Sequence, residues 1–162
     1  ITANTDGSDM YMLYDWGVHS HYFWMDPETL MIYQARKEVP EGISTWNTFI
    51  LKDKTQEMRV VADGIFAEDN HMVLTPDRKL SIHDTYPQKD GHQWLRLYNE
   101  KTDICHRICA FPCPSLREMG HVDLRCDLHP RFDRSGRRLT VDSICEGFRG
   151  IYMVDIDPKE FE

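Results

Sequence analysis

The stretch DLHPRFDRSGRRLTVDS, residues 127–143, sets His129 ahead of a short strand pattern, a polar turn and a second strand pattern. The turn is built on Asp133, Ser135 and Gly136, residue types that bond their own backbone or tolerate positive φ. Its second arm, RLTVDS, alternates apolar and polar side chains, the period of a strand with one buried face. Two other stretches repeat the layout: HYFWMDPETLMIYQAR from His21 and HMVLTPDRKLSIHDTY from His71. Aligned on their histidines, the three carry Leu30, Leu80 and Leu139 nine, nine and ten residues on.

Strand patterns fill the rest of the chain. MYMLYD, NTFILKD, MRVVADG, WLRLYNE, DICHRICAF and GIYMVDI are short and rich in β-branched and aromatic residues, and polar turns separate them. No stretch carries a sustained 3.6-residue apolar period. The fold class is therefore all-β, and units of four strands recurring at separations of 50 and 58 residues have the form of β-propeller blades. Residues 1–162 read as a single propeller segment. Residues 1–15 are outer strands of a preceding blade, 16–64 and 65–112 are blades, and 113–162 is a blade short of one strand, where the ring can close by pairing the chain's two ends. A closed propeller has ~4–8 blades, so the remaining blades are expected outside this chain.

Composition narrows the partners. With 41% hydrophobic and 28% charged residues the chain belongs with globular rather than disordered proteins. A net charge of −8 argues against a nucleic-acid partner, which needs a basic face. No apolar run approaches the ~20 residues of a membrane helix, so no membrane partner is expected. Charge is uneven: residues 1–70 hold five Lys/Arg against twelve Asp/Glu, whereas 106–138 hold seven Arg against four Asp/Glu. An acidic ligand would be steered to the second region. Five cysteines cannot all pair within the chain. With no signal peptide ahead of Ile1, they favour free buried thiols and a reducing, cytoplasmic compartment. Cys105, Cys109 and Cys113 are four apart, too far along a strand for disulfides among them. Even spacing places Cys105 and Cys109 on one face.

In a propeller the first strand of each blade lines the central channel, and a residue just before it stands at the channel mouth. His21, His71 and His129 would then converge from three consecutive blades. Three imidazoles can hold a divalent metal, or one can serve as a general base. A hydrogen-bonding role in each hairpin is an equal reading. His19 shares the parity of His21 and is a reserve ligand or a neighbour. Asp127, two residues before His129, could complete a mixed nitrogen–oxygen site or anchor the turn. Arg125 and Arg131 flank His129 and could bind a substrate carboxylate, or form surface ion pairs. His83, His92, His106 and His121 follow no shared register and read as surface or loop residues.

At SHYFWMDPETLMIY (20–33), DTYP (84–87), DLHPRFDRSGRRLTVDS (127–143) and RGIYMVDI (149–156) the chain resembles the oligogalacturonate lyase family. More loosely it resembles TolB-type, WD40-like propeller repeats. The resemblance spans nearly the whole chain, as the C-terminal part of a longer protein. It implies a seven-bladed propeller that cleaves short acidic pectin oligosaccharides by β-elimination. It also implies a divalent metal, manganese, held in the channel mouth by histidines and a glutamine. By position it implies His21 as the base and His71 and His129 as metal ligands. A third metal histidine of the family falls on Asp127, and its glutamine near Leu124, which cannot ligate a metal. The arginine expected upstream lies outside this chain. Two function classes stay open: a lyase acting on acidic sugars, and a non-catalytic propeller binding a protein or sugar.

Overall fold

The computed structural model describes residues 1–14, 18–35, 46–120 and 125–161, which form two compact units, residues 1–67 and 68–162. In the first unit β1 (Val18–Asp26), β2 (Thr29–Ala35), β3 (Trp46–Lys52) and β4 (Met58–Val61) make one antiparallel sheet in chain order. The two central strands are covered on both faces. Leu30, Ile32, Phe49 and Leu51 pack with Leu13, while Met31, Tyr33 and Ile50 on the intervening positions are also buried. TLMIY and TFIL therefore read as apolar runs rather than alternations.

The second unit holds two sheets. One runs β5 (Met72–Leu74), β6 (Ser81–Asp84), β7 (His92–Asn99), β8 (Ile104–Pro112), the other β9 (Arg131–Phe132), β10 (Arg138–Ser143), β11 (Gly150–Asp155). Both are antiparallel meanders. Their core joins Leu80, Ile82, Leu95, Leu97 and Phe111 to Leu128, Leu139 and Val141. In β10 the alternation is direct: Leu139, Val141 and Ser143 are buried, while Arg138 and Thr140 are exposed. Helical structure among the described residues is one turn, α1 (Leu116–Met119), closed by a Ser115–Glu118 capping box, and a 3₁₀ turn at Pro158–Phe161. Antiparallel meander sheets following one another along the chain are the blade form of a β-propeller.

Three expectations are corrected. MYMLYD is not a strand over its described residues. Tyr11 instead bridges to Thr2 around a turn in which Asn4 N–H donates to Ser8 O at 2.9 Å, so the segment closes on itself rather than on a sheet. Cys105 and Cys109 do not share a face. Cys109 pairs with Leu95 and Cys105 with Tyr98 across a register shift, and the extra residue reverses the alternation between them. His83 is neither on the surface nor in a loop. It sits on β6 with no exposed area, its Nδ1 2.7 Å from Asn70 Oδ1 and its Nε2 2.8 Å from Ser81 Oγ.

Burial, with a smaller contribution from the Arg96 charge, pushes the His83 pKa well below the ordinary histidine value. The unfolded chain then binds a proton that the folded chain refuses. His83 therefore contributes stability fully above pH ~6.5, and that stability is lost as pH falls, by up to about 1.4 kcal/mol per pH unit. The expected outcome is that His83→Gln unfolds with a shallower dependence on pH between ~6.5 and ~5 than the parent chain, measured by urea titration at each pH. All five cysteines are free, Cys113 and Cys126 buried and the other three half-buried. A thiol titration of denatured, unreduced protein should count five.

Candidate metal centre

His71 stands one residue ahead of β5, and the Asp84 N–H donates to its carbonyl at 3.1 Å, which extends the β5–β6 pairing. In the next sheet the Asp142 N–H donates at 2.8 Å to Leu128 O, the residue before His129 rather than His129 itself, so the pairing beyond β9–β10 is displaced by one residue. Each aspartate lies thirteen residues after its histidine. The two hairpins share this spacing in sequence but not the distance from histidine to leucine. Leu80 O accepts from Thr75 N, but the equivalent acceptor for Asp133 N is Arg138 O, so Leu80 and Leu139 are out of step by one residue.

His71 and His129 lie together, linked through Asp84, with ring centroids 3.9 Å apart and planes tilted by 50°. Asp127 joins them, and one ligand atom from each of the three lies within 4.8 Å of the others. Two nitrogens on opposite sides of an ion at ~2.1 Å are separated by ~4.2 Å, so small side-chain movements would close the set on one ion. Two imidazoles and one carboxylate suit a borderline first-row divalent metal.

Asp84 lies beneath the pair and is fully buried. Its Oδ1 accepts from the His71 backbone N–H at 2.7 Å. Its Oδ2 lies 2.9 Å from His71 Nδ1 and accepts from the His129 backbone N–H at 3.1 Å. The His129 Nδ1 is 3.2 Å from Asp127 O. Burial pulls the His71 pKa down, but the hydrogen bond to Asp84 and the charges of Asp84, Asp127 and Asp69 outweigh it, and the net shift is upward. His129 shifts downward, from burial and the neighbouring His71 charge.

Arg125 lies 2.6 Å from the Asp127 carboxylate through Nε, an off-axis approach that makes an ion pair rather than a directed hydrogen bond. Its guanidinium also covers the Tyr86 ring at 4.1 Å. Beside the pair is a cavity of about 400 Å³ whose lining includes Arg125, Asp127, His129, Asp142 and Arg149. Arg131 lies on β9 and donates to the neighbouring Pro130 carbonyl at 2.8 Å. Arg149, which no sequence pattern singles out, is the second cation of this cavity and donates to Arg125 O at 2.8 Å.

The structure thus brings His71, Asp127, His129 and Arg125 together. His21 belongs to the first unit and lies inside β1, not ahead of it, with Nδ1 3.0 Å from Ser20 Oγ. A register shift between His19 and Tyr22 inserts an extra residue in β1, and it is His19 that stands opposite Gln34, at 2.8 Å from Nδ1 to Oε1. The parity shared by His19 and His21 is broken there. Leu124 and His121 lie outside the described residues. Asp84 was missed: its spacing from His71 matches that of Asp142 from His129, but the spacing does not show which of the two carboxylates is buried.

No family model matches the chain, and no curated protein matches it. Among solved structures it is similar to an oligogalacturonate lyase in complex with manganese, with 19% identity over 99% of this chain and 42% of that one and a TM-score of 0.68. It is similar also to the oligogalacturonate lyase of Vibrio parahaemolyticus, with 18% identity over 97% of this chain and 41% of that one and a TM-score of 0.68. At this identity the likeness shows the fold alone. The chain spans about two fifths of the length of those structures.

The opposite shifts of the two histidines give a direct test. In an NMR titration of metal-free protein, His71 should titrate above ~6.5 and His129 below it. Replacing His71 by alanine should move the His129 midpoint upward, because the neighbouring cation is gone.

Proposed function

We propose that this chain is part of a β-propeller lyase acting on short uronic-acid oligosaccharides, with His71, Asp127 and His129 holding a divalent ion, manganese first among the candidates. The observation that carries the reading is the meeting of two imidazoles and a carboxylate from successive sheets. The likeness in fold to a lyase that contains manganese supports it. When bound, the ion supplies charge stabilisation to a sugar carboxylate whose α-proton is to be removed.

The chain's own residues supply the rest. His71, Asp127 and His129 hold the ion and fix its position. Arg125, beside Asp127, and Arg131 orient the acidic sugar by charge and bidentate bonding. The resemblance assigns proton removal to His21. A neutral imidazole there takes the proton from the carbon next to the carboxylate. The C–H electron pair becomes the new carbon–carbon double bond, and the bond to the leaving oxygen on the β-carbon breaks, the oxygen keeping that electron pair and taking a proton from water. A second reading, a non-catalytic propeller that binds a protein or sugar, is favoured by Leu124 near the place where the resemblance puts a ligating glutamine.

The test is metal analysis and lyase assay of the intact protein with oligogalacturonides, following the absorbance of the new double bond. A His71→Ala, His129→Ala double variant should lose both metal and activity. His21→Ala should keep its metal and lose ~10²–10⁴ in rate. A double variant with full metal content would overturn the metal assignment. A parent protein that binds metal and oligosaccharide without turnover would select the binding module.

A further inference from the structure

The fully buried Asp84 carboxylate has more to do than neutralise charge. A buried carboxylate is costly unless its oxygens are bonded. Here three N–H groups converge on it: the backbone and ring of His71 and the backbone of His129. The ring bond sets the tautomer. A carboxylate only accepts, so His71 must carry its hydrogen on Nδ1, which places the ligating lone pair on Nε2. The bond to His129 acts differently. His129 has φ +43°, a left-handed conformation that a non-glycine residue holds only when its surroundings impose it. Its amide is anchored on the same oxygen that meets His71 Nδ1. One side chain on β6 thus fixes the ring of one histidine and the backbone of the other.

We infer that Asp84 is the positioning residue of the metal centre, selecting the His71 tautomer and holding His129 in its left-handed turn so that both rings face one ion. The inference rests on the metal reading given under the proposed function. Asp142, at the matching position in the next sheet, does not have this role: its carboxylate is 3.8 Å from His129 Nδ1 and is about half exposed.

The critical variant is Asp84→Asn, which keeps the shape and can still accept one N–H. Its amide nitrogen would face His71 Nδ1 as a donor, which favours the tautomer with hydrogen on Nε2. Two measurements on intact protein separate the outcomes. Long-range ¹H–¹⁵N NMR of the metal-free parent, at a pH where the imidazole is neutral, should show His71 protonated on Nδ1. Calorimetric titration with Mn²⁺ should show affinity lowered ~10–100-fold in Asp84→Asn, against less than ~3-fold in Asp142→Asn. If Asp84→Asn fails to fold, Asp84→Ser is titrated instead, and the parent tautomer still decides. A parent His71 protonated on Nε2, or a folded Asp84 variant with parental Mn²⁺ affinity, overturns the inference. A parent protein that binds no Mn²⁺, Zn²⁺ or Co²⁺ yet shows the Nδ1 tautomer overturns the metal reading and leaves the positioning of His71 standing.

Discussion

The contact on which the second unit's geometry turns is the carboxylate of Asp84. It is withdrawn completely from solvent and accepts three N–H groups from residues 71 and 129. Stripped of those donors, a carboxylate in that position would cost several kcal/mol, so residues 71 and 129 must approach it together. The turn that carries His129 is thereby tied to the strand end that carries His71. Packing of the two sheets through Leu80, Ile82, Leu97, Leu139 and Val141 supplies the hydrophobic part of the same junction.

Register does the rest. In both sheets of the unit the pairing continues past the named strands by one bond, from Asp84 N to His71 O and from Asp142 N to Leu128 O. Because antiparallel pairing has a period of two, a slip of one residue would turn either histidine to the opposite face. In the second sheet the bond goes to Leu128 O, the residue before His129, so such a one-residue displacement does occur there, at the left-handed His129. At the turn of β9 and β10, Gly136 has φ +72° and lies so close to Pro76 that a Cβ would meet its ring at 3.0 Å. Only glycine satisfies both constraints there.

The electrostatic setting is mixed rather than simply basic. The carboxylates of Asp84, Asp127 and Asp69 all favour a charged His71, while the His71 charge disfavours one on His129. A divalent ion would take the place of the proton that charged His71 carries on Nε2, in a site whose carboxylates already favour positive charge. Arg125 and Arg149 line the adjacent cavity together with Asp127 and Asp142, so its lining carries both signs in a chain whose overall charge is −8.

Strand content, the repeating hairpins and the pair His71 and His129 were legible in the amino-acid sequence, because strand periodicity and turn chemistry are local and each repeat restates them. Asp127 was legible as well, from its place beside His129. Tertiary structure decided what depends on single-residue shifts and on contacts between sheets. A register shift in β1 broke the parity of His19 and His21, and another in β8 separated the faces of Cys105 and Cys109. Local patterns do not reveal such shifts, since a bulge alters pairing while leaving composition intact. His83 was misread because the bonds to Asn70 and Ser81 that make its burial tolerable arise only when β5 and β6 are assembled. Asp84 was overlooked for the same reason: its two ligand-bearing partners lie 13 and 45 residues away in the chain, and only folding brings them to one carboxylate.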